Sequence, residues 1–290
     1  MSGLIRQIVD SSGNLPRELI KKCKISEASF YFRFANMDYV RENVDYETDE
    51  FFKHMELNPD DIPNTAAPNT HDWLSILEDL YQQGIKKFLV TTISSKLSAS
   101  FQTATSAKEM FEQSHGDVRV EVVNSNTCAC GQAAFEIWIA KMIERGESLE
   151  AIAKKAREMV PRISTLFAVD SLKYMKAGGR VGAAAALLGA LIKLKPVCEF
   201  VDGEVEVVRP VVGRKRSLKT MIDVAVSRIG DINRTIIVLQ NAKSPIDADY
   251  MYQYLIEKTK ERIPVFNSSL GITVGAHSGP GSVGIGFVEY

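Results

Sequence analysis

Two stretches of the chain carry residue types that could do chemistry. In the first, Ser94, Ser95, Ser98 and Ser100 lie between the apolar run Phe88-Leu89-Val90 and a segment, Ala99–Phe111, whose Phe101, Ala104, Ala107 and Phe111 recur at helical spacing. A strand–turn–helix junction aims free helix N–H groups at whatever binds there, and hydroxyls add donors. That suits an anionic head group, a carboxylate or a phosphate; the plainer reading is that Ser98 only caps the helix. In the second, His277 lies in Gly275-Ala276-His277-Ser278-Gly279-Pro280-Gly281, read as a glycine-rich turn between the strands Ile272–Val274 and Val283–Val288. Its glycines let backbone approach a ligand closely, and the imidazole can donate to a carboxylate, unless it is merely a surface-loop histidine. Arg180 follows Gly178-Gly179 and offers a fork-shaped donor for carboxylate or phosphate. Lys195 and the run Arg214-Lys215-Arg216 add positive charge, either as a solvated helix start or as a patch for a phosphate or an acidic partner. A serine and a histidine also admit an acyl hydrolase with Ser95 as nucleophile and His277 as base, but no signature supplies the orienting acid or the oxyanion hole. Gly279–Gly284 formally fits G-x-G-x-x-G, yet only six residues follow it, too few for a dinucleotide fold.

The elements that must position these groups are readable from periodicity. Leu4–Val9 reads as a strand, Pro16–Lys22 as a helix and Ala28–Phe34 as a second strand. Residues 36–50 read as a polar surface excursion before a helix at Glu50–Leu57, and the three prolines of Pro59–Asn69 read as an irregular loop. An amphipathic helix, Thr70–Gln83, stops at Gly84; strand Val118–Val123 and helices Ala129–Glu144 and Leu149–Met159 complete a β/α alternation expected of a parallel sheet covered by helices. Three strands run into serine-bearing turns at Ser11-Ser12, Ser94-Ser95 and Ser125, and ligands of such sheets sit beyond the strands' carboxyl ends. After Pro161 come strand Leu166–Val169, the helical turn Ser171–Lys176, an alanine-rich helix at Ala183–Ile192, a hairpin turning at Val201–Glu204, helices Arg214–Ile229 and Ile246–Thr259, and strand Thr235–Leu239. The expected organisation is α/β with two domains: 1–161, an α/β/α parallel-sheet domain, and 162–290, an α+β domain with a mixed sheet.

Composition narrows the function classes. A net charge of −1 gives no electrostatic reason to expect nucleic acid or an anionic membrane. No apolar run reaches the ~18 residues of a membrane span, and Met1–Arg6 does not look like a signal peptide. Four cysteines in no metal-binding spacing suggest free thiols and a cytoplasmic location, without a metal or cofactor.

With these segments in order, the sequence resembles the DegV family of bacterial fatty-acid-binding proteins along essentially its whole length. Ile8–Pro16 is similar to the family's opening strand and loop, Ile93–Gln102 to its Ser-Ser-x-Leu-Ser-Gly-Thr-Tyr segment, and Leu172–Arg180 to its Leu-x-Tyr-Leu-x-x-Gly-Gly-Arg. Ile192–Pro196 resembles its Lys-Pro turn, and Gly275–Gly281 its Gly-Ala-His-x-Gly-Pro-Gly. The resemblance implies a carrier without catalysis of its own. It would hold one long-chain fatty acid, carboxylate at the domain interface and tail in a buried tunnel, and present it to a separate fatty-acid kinase that makes an acyl-phosphate for phospholipid synthesis. By the same resemblance Thr65, Ser95 and His277 would be the carboxylate ligands, with Ser94 and Ser98 adjacent; either Ser94 or Ser95 could face the ligand, and Ser95 is the one expected to. Arg180 and Arg214 would meet the kinase or the acyl-phosphate. A lipid-loaded regulatory protein is the remaining alternative. The chain departs from the family pattern at Thr65-Ala66-Ala67-Pro68-Asn69, where a hydroxyl is lost, at Leu97-Ser98-Ala99-Ser100, and at Asn124-Ser125.

Overall fold

The computed structural model describes residues 4–189, 194–261 and 263–290. Its first half runs β1 (Ile5–Asp10), α1 (Arg17–Cys23), β2 (Ser26–Ala28), β3 (Tyr31–Arg33), β4 (Val40–Arg41), α2 (Thr48–Leu57) and β5 (Asn64–Ala66). Then follow α3 (Thr70–Gln82), β6 (Lys87–Thr92), α4 (Ser100–Ser114) and β7 (Arg119–Asn124). β2, β1, β6 and β7, in that order, form an all-parallel sheet. Such a sheet must be covered on both faces. Side chains alternate accordingly: Phe88 and Val90 pack with Trp73, Leu77 and Phe111 of α3 and α4, whereas Leu89 faces the opposite side.

The second half runs α5 (Ala129–Glu144), α6 (Leu149–Met159), β8 (Ser164–Ala168), α7 (Lys173–Ala177), β9 (Val197–Val201), β10 (Glu204–Arg209) and α8 (Arg214–Arg228). β11 (Thr235–Asn241), α9 (Pro245–Thr259), β12 (Val265–Ser269), α10 (Ile272–Ser278) and β13 (Val283–Glu289) complete it. The sheet order is β10-β9-β8-β13-β11-β12, antiparallel except for the β11–β12 pair, so the sheet is mixed. The protein is therefore α/β, with one parallel and one mixed sheet, as its element order implies.

α5 joins the two sheets. A helix buried on every side belongs in an interior, and Ala129–Ile139, with Gln132 and Glu136 among them, are buried without a break. Phe135, Ile139 and their neighbours share one core with Ile5, Val9 and Leu89 of the parallel sheet and with Ile236, Val238 and Val288 of the mixed sheet. The approach is close because β13 carries Gly286: a Cβ there would stand 2.1 Å from the carbonyl carbon of Cys130.

Five sequence expectations are corrected by the structure. Ala28–Phe34 is not one strand: the chain leaves the parallel sheet at Ala28, the Phe30 N–H turns to the Ser11 hydroxyl, and Tyr31 starts a second small sheet of order β4-β3-β5. Residues 36–50 are not all surface, since Glu42 is fully buried. The proline-rich loop holds a strand, β5, because Pro63 and Pro68 flank Asn64–Ala66 and leave their N–H groups free to pair with β3. The alanine run forms a 3-10 helix at Gly182–Leu187 rather than an α-helix: helix propensity without a continuous buried face does not hold a helix, and of its residues only Ala184 is buried. The proposed end of that helix at Ile192, with the start of the Lys-Pro turn, lies outside the described residues. Finally, Ile272–Val274 is the first turn of α10, not a strand. Three apolar residues do not distinguish the two periods, and it is Ile272 with Ala276, at i and i+4, that pack into the aromatic cluster around Phe51 and Phe52. All four cysteines are unpaired.

Candidate functional site

α10, the serine turn after β6, the short strand β5 and the inner strands β8 and β13 surround a cavity of about 240 Å³. Its walls are mostly apolar, from Phe30, Ile93, Leu97, Met175, Phe167 and Phe200. Cys128 and Cys130 also face it. Burial raises both thiols, Cys130 to about 12, so they remain protonated and act as small apolar side chains. Polar groups enter from Thr65, Ser98, Arg180, Thr273, His277 and Ser278.

His277 is presented by α10. Thr273, Val274, His277 and Ser278, spaced i, i+1, i+4 and i+5, form the helix face that lines the cavity. The imidazole Nε2 lies 2.8 Å from the Thr65 hydroxyl on β5. Burial, and next the Arg180 guanidinium, hold its pKa down at about 4, so the ring is neutral at neutral pH. With Nε2–H donating, the Thr65 hydroxyl keeps its own proton to donate to a ligand. The other nitrogen, Nδ1, has no hydrogen-bond partner among the described residues. It rests against the turn after α7, where a Cβ at Gly178 would come within 2.0 Å of it. That contact explains why glycine stands there. Arg180, two residues on and exposed, donates from Nε to the Leu97 carbonyl at 3.1 Å and from Nη1 to the Gly178 carbonyl, tying the serine turn to the turn beside His277.

The structure brings Thr65, Ser98, Arg180 and His277 to one cavity, and leaves Ser94, Ser95 and Arg214 out of its lining. Ser94 is fully buried and its hydroxyl donates to the Gly203 carbonyl at 2.8 Å, holding the turn to the β9–β10 hairpin. Ser95, expected to face the ligand, instead accepts from the Asn124 side chain at 2.8 Å, while its N–H donates back to the Asn124 carbonyl oxygen of that side chain. The serine turns thus largely hold one another: the Asp10 carboxylate, buried at the end of β1, accepts from Ile93 N–H and from the Ser100 and Ser12 hydroxyls. Ser95→Ala is accordingly expected to leave ligand affinity within about twofold of wild type, since a neutral hydrogen bond remote from the ligand contributes only about 1 kcal/mol to folding; a titration with a fatty acid checks it. Arg214 spends Nε and Nη2 on Asp247, at 2.9 and 2.8 Å, and Nη2 also donates to the Gly281 carbonyl at 2.5 Å.

Sequence reasoning missed Thr273, Ser278 and Glu42. The first two share the helical spacing of His277, a signal hidden by reading that stretch as a strand and turn. Glu42 carries no local signal at all.

The family described as "Uncharacterised protein, DegV family" matches residues 5–290. The chain belongs to the DegV family. A DegV domain-containing protein of Clostridium perfringens is 28% identical over 283 residues, 96% of this chain and 95% of the relative. Among solved structures of the DegV fold, a stearic acid-binding protein from Eubacterium ventriosum superposes with a TM-score of 0.92 at 23% identity, covering 99% of this chain and 98% of the other. A fatty-acid-binding DegV family protein from Thermus thermophilus does so with a TM-score of 0.89 at 24% identity, covering 99% of each. No helix among the described residues of this DegV-family chain is long and apolar enough to cross a membrane.

Proposed function

We propose that this DegV-family chain binds one long-chain fatty acid, with the tail in the apolar cavity and the carboxylate at its polar end. The observation that carries this reading is the neutral Thr65–His277 pair set into a mostly apolar cavity with Arg180 beside it. Each charge-assisted hydrogen bond to a carboxylate contributes about 1.5–3 kcal/mol, and each buried methylene about 0.8 kcal/mol, so an amphiphile with one anionic end and a long apolar tail uses the whole site. Thr65 is the proposed direct donor to the carboxylate, His277 acts on the head group by aiming that hydroxyl, and Ser98 is a further donor from the cavity wall. Ser94 and Ser95 shape the turn instead. The fatty acids held by the two structural relatives point the same way.

The chain is read as a cytoplasmic carrier that hands its acid to a separate fatty-acid kinase. Arg180, exposed at the cavity, is the proposed point of contact with that partner or its phosphate, and Arg214 holds the turn at Gly281. The proposed division into domains falls after residue 161, between α6 and β8. A hydrolase reading finds less support: the hydroxyl next to His277 is a threonine, and Nδ1, where an orienting acid would sit, abuts the Gly178 backbone.

Native mass spectrometry of the purified protein tests the proposal. A homogeneous mass excess of one C14–C18 acid is the expected result; a protein that stays empty after incubation with palmitate and oleate, or that cleaves ester substrates, overturns it.

A further inference from the structure

The helix that carries His277 cannot cap itself. α10 is only seven residues long, and its N-cap, Gly271, has no side chain to accept from the first-turn N–H groups. A serine or aspartate could not stand there, because a Cβ on Gly271 would lie 2.2 Å from the Asn14 side-chain nitrogen. The missing acceptor comes from 231 residues away: the Glu42 carboxyl accepts from Thr273 N–H at 2.7 Å. Its other oxygen is held by the Ser11 hydroxyl, which in turn accepts from Phe30 N–H at 3.0 Å. Glu42 is therefore tied at once to the end of β1, to the start of β3 and to α10, and it is fully buried.

We infer that Glu42 is a positioning residue of the ligand site: by capping α10 from outside the helix it fixes the height and rotation at which His277 meets Thr65. One turn separates the capped N–H from the imidazole-bearing residue, so the ring inherits any slack at the helix start. The two carboxyl oxygens are spent on the Ser11 hydroxyl and the Thr273 N–H, so the side chain acts on the site through the cap. The ligand itself is that of the proposed function, on which this inference rests for its binding arm but not for its spectroscopic one.

The test compares Glu42→Gln, which keeps size and an acceptor for Thr273 N–H, with Glu42→Leu, which keeps size and loses the acceptor. Ser11→Ala loosens the carboxyl without altering it and stands in should the leucine variant fail to fold. Palmitate affinity is expected to fall about tenfold in Glu42→Leu, the loss of one well-placed hydrogen bond, and to stay near wild type in Glu42→Gln. In the unliganded proteins the His277 ring proton shifts, followed by NMR, should titrate near 4 in wild type and Glu42→Gln. In Glu42→Leu, and less so in Ser11→Ala, the midpoint should move up toward the ordinary histidine range, because a loosened α10 lets water reach the ring. An unchanged His277 midpoint in folded Glu42→Leu or Ser11→Ala overturns the inference whether or not palmitate binds. Failure of wild type to bind any fatty acid overturns the function and leaves the titration to decide the role of Glu42.

Discussion

His277→Ala should lose fatty acid retention by about 10- to 100-fold, because it removes the Nε2–H that aims the Thr65 hydroxyl and so disrupts the charge-assisted hydrogen bond of about 1.5–3 kcal/mol that Thr65 donates to the carboxylate. Without that 2.8 Å contact the Thr65 hydroxyl would rotate freely. Thr65→Ala should fall in the same range, and the double variant should lose less than the sum of the two, as expected for residues that act as a pair. Competitive displacement of a bound fluorescent fatty acid, measured for the four proteins, gives the coupling directly. Retention unchanged in His277→Ala would remove the imidazole from the head-group site.

The second large effect is a stability that declines from acid toward neutral pH. Glu42 has its pKa raised from 4.5 to about 7, first by burial, with Glu27 adding repulsion, while Ser11 and Thr273 oppose the rise. Asp10 and Glu136, also fully buried, are shifted upward by the same desolvation. A raised carboxyl pKa means that the folded chain keeps a proton that the unfolded chain releases. The contribution of Glu42 is thus complete below 4.5 and is lost as pH rises through about 7, by about 3 kcal/mol for this group alone. His277 has the opposite sign: its lowered pKa costs stability as pH falls through about 4. Glu42→Gln, neutral throughout, should gain on wild type by about 3 kcal/mol between pH 4.5 and pH 8 in urea denaturation. Parallel curves for the two proteins over that range would show that the buried carboxyl does not titrate there.

These groups differ in how far the sequence announces them. The serine turns were legible because Phe88-Leu89-Val90 and the spacing of Phe101, Ala104, Ala107 and Phe111 are local patterns, set by periods of two and 3.6 residues. The parallel sheet followed from the same periods, and five short motifs in a fixed order identified the family. The element around His277 was misread, because three apolar residues satisfy either period and the choice of helix depends on the aromatic cluster that receives Ile272 and Ala276.

The sequence by itself determined the alternation of strands and helices, the family and the residue types at the site. Only the tertiary structure decided which of those residues meet. Thr65 reaches His277 across 212 residues and Glu42 caps α10 across 231, pairings that no local pattern encodes. Ser95 shares its residue type and turn with Ser98, yet it pairs with Asn124 while Ser98 lines the cavity. Local propensity acts through neighbours along the chain. The direction of a hydroxyl in a turn is set by whichever partner the packed sheets bring within hydrogen-bond distance, and burial then makes an unmet partner costly.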